Sequence, residues 1–312
     1  MQISFDGQVV VITGAGQGLG RAYAYDLARR GALVVVNDVG GLDDPEGSSA
    51  DAVVATIKEE GGTAAASYDT VATPEGGRAI IGHALDTFGT VDAVVHNAGT
   101  WRNVPFDEMT VDQLDPVVDV HLRGAFFVTQ PAWSIMKEKG YGRIVLTSSS
   151  AGAFGREAGA NYVSSKAGLL GLGRALALEG AEHGIRANFI LPIAPFGRKG
   201  PVRPELKAHV TDSGLPPEAA GPEQVAPMVA YLASSACTVT GEAFSAGGGR
   251  YARVFIGVAD GWLGPAGGCA TAEDIAEHLD DIEDRRTYAI PGSAWDELRD
   301  IGAMHARRAG GA

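Results

Sequence analysis

The chain has 312 residues, 45% of them hydrophobic and 20% charged, the proportions of a globular protein large enough to bury a sizeable core. Its formal net charge of -13 argues against nucleic acid as a partner, because gripping a phosphate backbone takes clustered lysine and arginine. No run approaches about 18 apolar residues, so no membrane span is expected, and the start Met-Gln-Ile-Ser-Phe-Asp-Gly lacks the pattern of a secretory signal, which points to the cytoplasm.

Short apolar runs alternate with helical patterns from the start. Val9–Thr13 precedes a helix over 20–30, and Leu33–Asn37 precedes one over 50–60. Then come a strand at 64–68, a helix over 76–88, a strand at 91–96 and one long helical stretch over 111–139. Strands follow at 143–148, 186–191 and 243–245, with helices over 162–183 and 223–232. This alternation predicts βαβ units, and runs such as Val-Val-Val-Ile suit strands covered on both faces. The expected fold is a Rossmann-like doubly wound parallel sheet in one domain, residues 1–250. Within it the proline-rich stretch 192–222 reads as a lid. Residues 251–312, with one helical pattern at 272–286, read as an extension packed on the domain or on a neighbouring subunit. Cys237 and Cys269 are too few for a disulfide framework and lack zinc spacing, so both are expected to be reduced and structural, and no metal site is expected.

The first strand runs into Thr13-Gly14-Ala15-Gly16-Gln17-Gly18-Leu19-Gly20 and then a helix. Backbone amides at such a turn, together with the helix N-terminus, can approach a pyrophosphate. Leu19 stands where Gly-x-Gly-x-x-Gly would need glycine, whereas Thr-Gly-x-x-x-Gly-x-Gly is met in full. The second strand ends in Asn37-Asp38, and a carboxylate at that distance accepts bonds from an adenosine ribose while repelling a 2′-phosphate. Neither Gln17 nor the residues just after Asp38 are basic, so NAD is the expected cofactor. Asp69, before Thr70 and Val71, is placed to meet the adenine.

Tyr162 and Lys166 are four apart on a predicted helix and so share a face. A nearby ammonium favours the phenolate, which makes a tyrosine usable in acid–base chemistry. Ser148, Ser149 and Ser150 close the preceding strand at the edge where such sheets bind ligands. With Asn97-Ala98-Gly99, these pieces resemble the short-chain dehydrogenase/reductase family over residues 5–250. The resemblance implies that Tyr162 exchanges the substrate proton, Lys166 binds the nicotinamide ribose and lowers the tyrosine pKa, and Ser149 orients the carbonyl. It also implies cofactor contacts from Thr13, Gly14, Gln17, Gly18, Leu19, Gly20, Asp38, Asp69, Thr70, Val71, Asn97, Ala98, Gly99, Tyr162, Lys166 and Pro192. At the family's fourth catalytic position, usually asparagine, stands His121, whose imidazole can either join a proton relay to Lys166 or serve as a structural histidine. Pro192-Ile193-Ala194 departs from the family's usual Pro-Gly followed by threonine.

The segments Val36-Asn37-Asp38-Val39-Gly40-Gly41, Tyr68-Asp69, His121-Leu122-Arg123-Gly124 and Ala160-Asn161-Tyr162 are similar to the dehydrogenase part of peroxisomal multifunctional enzymes of type 2. That resemblance implies oxidation of a (3R)-3-hydroxyacyl-CoA, with a 17β-hydroxysteroid or another hydrophobic alcohol as the alternative and a catalytically silent nucleotide-binding scaffold as a distant third. Arg198, Lys199, Arg203 and Lys207 in the lid suit either the phosphates of CoA or plain solvent. Association as a homodimer or homotetramer is expected through the helices over 111–139 and 162–183, with Phe126, Trp133 and a close approach at Gly171-Leu172-Gly173.

Overall fold

The computed structural model describes residues 2–40, 50–194 and 212–310. Two compact units divide the chain, Met1–Arg253 and Val254–Ala312.

In the first unit, β1 (Val9–Thr13), α1 (Gly18–Arg29), β2 (Leu33–Asn37), α2 (Ala50–Glu59), β3 (Thr63–Ser67), α3 (Pro74–Phe88) and β4 (Ala93–His96) form the first half. The second half comprises α4 (Val111–Val118), α5 (Gly124–Lys139), β5 (Gly142–Thr147), α6 (Ser150–Phe154), α7 (Ala160–Gly180), β6 (Ile185–Pro192), α8 (Ala226–Ala233), β7 (Ala243–Gly247) and β8 (Arg250–Val254). The eight strands lie in the order β3-β2-β1-β4-β5-β6-β7-β8, and β1 through β7 pair in parallel. Every residue of β1 is buried, which is why an uninterrupted Val-Val-Val-Ile run is stable there. Val10, Ile12, Val34 and Val36 pack with Tyr23 and Leu27 of α1 on one side of the sheet. Strand order reverses between β1 and β4, so a crevice opens above their carboxyl ends, where Thr13 meets the segment after His96.

Three expectations change here. The single helix over 111–139 is instead α4 and α5 joined by a π-helical turn, Asp119–Arg123, which carries His121. A hydrophobic pattern of period 3.6 does not reveal one wider turn within it. Of the two glycines expected at a subunit contact, Gly173 makes an internal approach instead: a Cβ on it would lie 2.3 Å from Phe189 Cε1 of β6, while Gly171 faces open space. The two cysteines also part ways, since Cys237 is buried and Cys269 is exposed, so only the first fits a structural role.

In the second unit, β9 (Val258–Ala259) and β10 (Tyr288–Ala289) pair antiparallel. The helix expected over 272–286 is two short ones, α9 (Ala272–Glu277) and α10 (Leu279–Ile282), the first begun by a capping box between Thr271 and Asp274. A 17-residue helix, α11 (Ala294–Gly310), was not anticipated, although Trp295, Leu298 and Ile301 recur every third residue along it. Among the described residues no helix is long and apolar enough to cross a membrane.

Candidate active site

Thr13 is the node at the switch point. Its Oγ1 accepts from the amides of Asn97 (3.0 Å) and Ala98 (3.1 Å) and lies 3.3 Å from His96 Nδ1. His96 Nε2 faces the carbonyl oxygen of His121 at 3.2 Å. A carbonyl only accepts, so Nε2 carries the hydrogen, Nδ1 accepts, and the Thr13 hydroxyl donates. His96 is held neutral, its pKa pushed down to about 3 by burial and then by the Lys166 charge. Asn97 completes the join by donating Nδ2 to the carbonyls of Thr13 and Gly14.

The glycine loop is shaped first by the protein itself. Gly14 has φ +64, and a Cβ there would sit 2.7 Å from Ala98 Cα; a Cβ on Gly20 would sit 2.2 Å from the Gly14 oxygen. A dinucleotide fits what remains. Gln17, the N-cap of α1, makes no side-chain cap bond among the described residues, and the first turn carries no acid, so its amides can face a pyrophosphate. Leu19 in that turn is half-buried. Asp38 Oδ2 accepts from Gly16 N at 2.9 Å and Oδ1 from Gly40 N at 3.1 Å, which ties the end of β2 to the loop. A carboxylate has about four acceptor sites, so a ribose hydroxyl is still admissible. Asp69 and Thr70 are exposed and Val71 is buried in the loop between β3 and α3, where the Asp69 carbonyl accepts from Asn37 Nδ2.

The residues expected to react sit across the crevice. Tyr162 and Lys166 lie on α7, both buried, with Lys166 Nζ 5.7 Å from the Tyr162 ring centroid. Burial pushes the Lys166 pKa down to about 7. Its ammonium donates to the carbonyl of Thr147 at the end of β5. The serines separate by environment. Ser148 is buried and donates to the Lys166 carbonyl at 2.7 Å, whereas Ser149 is half-buried and accepts from Ala151 N as the N-cap of α6. Capping uses a lone pair and leaves the Ser149 hydroxyl hydrogen to donate elsewhere.

His121 is buried, with Nε2 at the backbone of Thr100, 3.1 Å from the amide and 2.8 Å from the carbonyl oxygen. Its ring meets Tyr162 edge-on, with centroids 5.2 Å apart. Gly99 has no side chain because this imidazole fills the space: a Cβ there would be 2.6 Å from Cε1. Pro192 ends β6 beside Ala246. Arg198, Lys199, Arg203 and Lys207, the cations of the expected lid, lie with most of the 192–222 stretch outside the described residues.

The sequence reading missed His96, Trp101 and Arg156. Trp101 stacks on Tyr162 with centroids 4.2 Å apart, and the Arg156 guanidinium lies 5.5 Å from both rings. Only His96 carried a signal, as a histidine inside an apolar strand next to Asn97-Ala98-Gly99.

A glycine loop at the switch point of a doubly wound sheet, facing a tyrosine with an ammonium beside it, defines an oxidoreductase built to take a nicotinamide dinucleotide. The family model for short chain dehydrogenases matches residues 8–195, and the chain belongs to the short-chain dehydrogenase/reductase family. It is 45% identical over 260 residues to a short-chain type dehydrogenase/reductase of Mycobacterium tuberculosis, covering 81% of this chain and 87% of that one. It is 45% identical over 253 residues to the peroxisomal multifunctional enzyme type 2 of Mus musculus, covering 79% of this chain but 32% of the mouse protein. The full-length type 2 enzyme of Drosophila melanogaster superposes with a TM-score of 0.79 at 30% identity, covering 98% of this chain and 50% of that one.

Proposed function

We propose that the chain oxidises a secondary alcohol to a ketone with NAD as hydride acceptor, the alcohol being the 3-hydroxyl of a (3R)-3-hydroxyacyl-CoA. The observation that carries the chemistry is the Lys166 ammonium 5.7 Å from the ring of Tyr162. When bound, NAD supplies the hydride acceptor.

Tyr162 Oη takes the proton of the substrate hydroxyl, and the neighbouring ammonium favours the phenolate that does so. The Ser149 hydroxyl, its lone pair used by Ala151 N, donates to the oxygen that becomes the carbonyl. The buried His121 ring, edge-on to Tyr162, fixes the phenol's setting from the side of the π-turn. At the far end of the crevice, Asp38 holds the glycine loop and presents a negative charge that disfavours a 2′-phosphate, which supports NAD over NADP.

The thioester reading draws on kinship with enzymes whose names join dehydrogenase to hydratase, among them the hydratase-dehydrogenase-epimerase of Saccharomyces cerevisiae, 42% identical over 258 residues. A steroid is the second reading, favoured by the flat aromatic face that Trp101 stacks on Tyr162. We further propose a homodimer or homotetramer through α4, α5 and α7, where Phe126 and Leu178 are exposed.

The deciding assay compares a (3R)-3-hydroxyacyl-CoA, its (3S) isomer and a 17β-hydroxysteroid, each with NAD and with NADP. Turnover of the (3R) thioester with NAD supports the proposal. Turnover of the steroid alone replaces the thioester reading, and a preference for NADP removes the role given to Asp38.

A further inference from the structure

We propose that Arg156 is a second cation acting on the Tyr162 phenol, so that the phenolate is favoured by two charges and not by Lys166 alone. The inference rests on the reading of Tyr162 as the acid–base group.

The Arg156 guanidinium carbon is 5.5 Å from the centroid of Tyr162 and 5.5 Å from that of Trp101, while the two rings stack at 4.2 Å. Equal distances put the charge beside the stack and not over either outer face. Several features hold it there. Arg156 Nη2 donates to Asn103 Oδ1 at 3.0 Å. Gly159 leaves room, since a Cβ on it would lie 2.6 Å from Nη2. Ala158 takes φ +48, a conformation that costs a non-glycine residue free energy, and it lies in the same short connection between α6 and α7. The segment bearing Trp101 and Asn103 is fixed in turn to the residue before Tyr162, because Asn161 Nδ2 donates to the carbonyls of Arg102 and Gln113.

Lys166 and Arg156 differ in how long they keep their charge. Burial pushes Lys166 down to about 7, so without nucleotide it is half discharged near neutrality. A guanidinium keeps its charge at every pH at which an enzyme works. Among the described residues, the charged and titratable groups set against the Tyr162 ring are Lys166 from α7, Arg156 from the connection before it and His121 from the π-turn, whose ring is 5.2 Å away. His96 lies one step back, where the Lys166 charge helps to hold it neutral. Arg102 and Glu157, the exposed charges next to Trp101 and Arg156 in sequence, are unchanged in the variants below and cancel between them.

Ultraviolet difference titration of the nucleotide-free protein isolates Tyr162 when Tyr162→Phe is subtracted. The expected result is ionisation about half a unit to one unit higher in pH for Arg156→Gln, as a single charge a few ångströms off in a partly wet site implies. Added salt should shrink that difference, because Arg156 is exposed. Arg156→Lys should restore most of it, which a loss of local packing would not allow. The acid limb of kcat for alcohol oxidation should move by the same amount. Equal Tyr162 titrations in wild type and Arg156→Gln, both folded by circular dichroism, overturn the inference. Turnover surviving Tyr162→Phe would instead sink the underlying assignment, so the two failures are separable.

Discussion

Ser148 and Lys166 are joined by one bond and flanked by a second: the serine hydroxyl donates to the lysine carbonyl at 2.7 Å, and the lysine ammonium donates to the carbonyl of Thr147, next to that serine. The two bonds join the end of β5 to the middle of α7 and set the height of Lys166 in the crevice.

The neighbouring serines should therefore fail differently. Ser148→Ala removes a buried hydrogen bond and is expected to cost about 1 kcal/mol, lowering Tm by roughly 2–4 °C, with a modest loss of kcat. Ser149→Ala removes the N-cap of α6 and should lower Tm by a similar few degrees, but it should lower kcat by about 100-fold or more, as loss of a donor to the reacting oxygen does. Thermal unfolding beside initial rates checks both, and a reversed pattern would transfer the substrate contact to Ser148.

The lysine also predicts a pH dependence of stability. Its folded pKa is lowered to about 7 from the ordinary 10.5, so between those limits the unfolded chain binds more protons and stability rises with pH. Below pH 7 the burial penalty on the ammonium is present in full. Urea midpoints of the nucleotide-free wild type, relative to Lys166→Met, should climb from about pH 7 towards pH 10. His96 has the same sign in another window: its pKa falls from 6.5 to about 3, so acid should destabilise the wild type across that range more than His96→Gln.

Much of this was legible before any coordinates. Val9–Thr13 and Leu33–Asn37 are read to the residue, because a strand buried on both faces is a bare apolar run. Tyr162 and Lys166 share a helix face by spacing alone. What stayed hidden depends on partners distant in sequence. Arg156 is an ordinary loop arginine until Asn103 and Trp101 are folded beside it, and although the family's interval singles out Ser149, nothing in the sequence shows that Ser148 is buried against Lys166. The helix α11 was overlooked because its apolar stripe, Trp295, Leu298, Ile301 and Met304, is narrow and set among many charges.

Two glycines should respond in different ways to the same added methyl. Gly14→Ala puts an L residue at φ +64 and a Cβ 2.7 Å from Ala98 Cα, and is expected to destabilise by about 2–4 kcal/mol. Gly99→Ala presses on the His121 ring, which can turn only by leaving Thr100 and Tyr162. Its larger effect should fall on kcat. Chemical denaturation and kinetics on both variants make the comparison, and an inert Gly99→Ala would show that His121 has no part in setting Tyr162.

Asp38→Ala should raise the Michaelis constant for NAD by about tenfold, since one charge-assisted hydrogen bond to the ribose and the tie to Gly16 are both lost. The NADP constant should fall or stay level. A larger penalty for NADP than for NAD would mean that the carboxylate shapes the loop without reading the ribose.

The π-turn at Asp119–Arg123 has a consequence for how α4 and α5 relate. A turn closed one residue wider than its neighbours throws the two helices out of phase, so no single helical wheel describes both. Deleting one residue within 119–123 would bring them into phase, rotate whatever follows by about 100° and swing the imidazole of His121 out of the crevice. The spacing between Gly99 and Gly124 is thus an angular setting as well as a length, and chains that keep a histidine here are expected to keep that residue count.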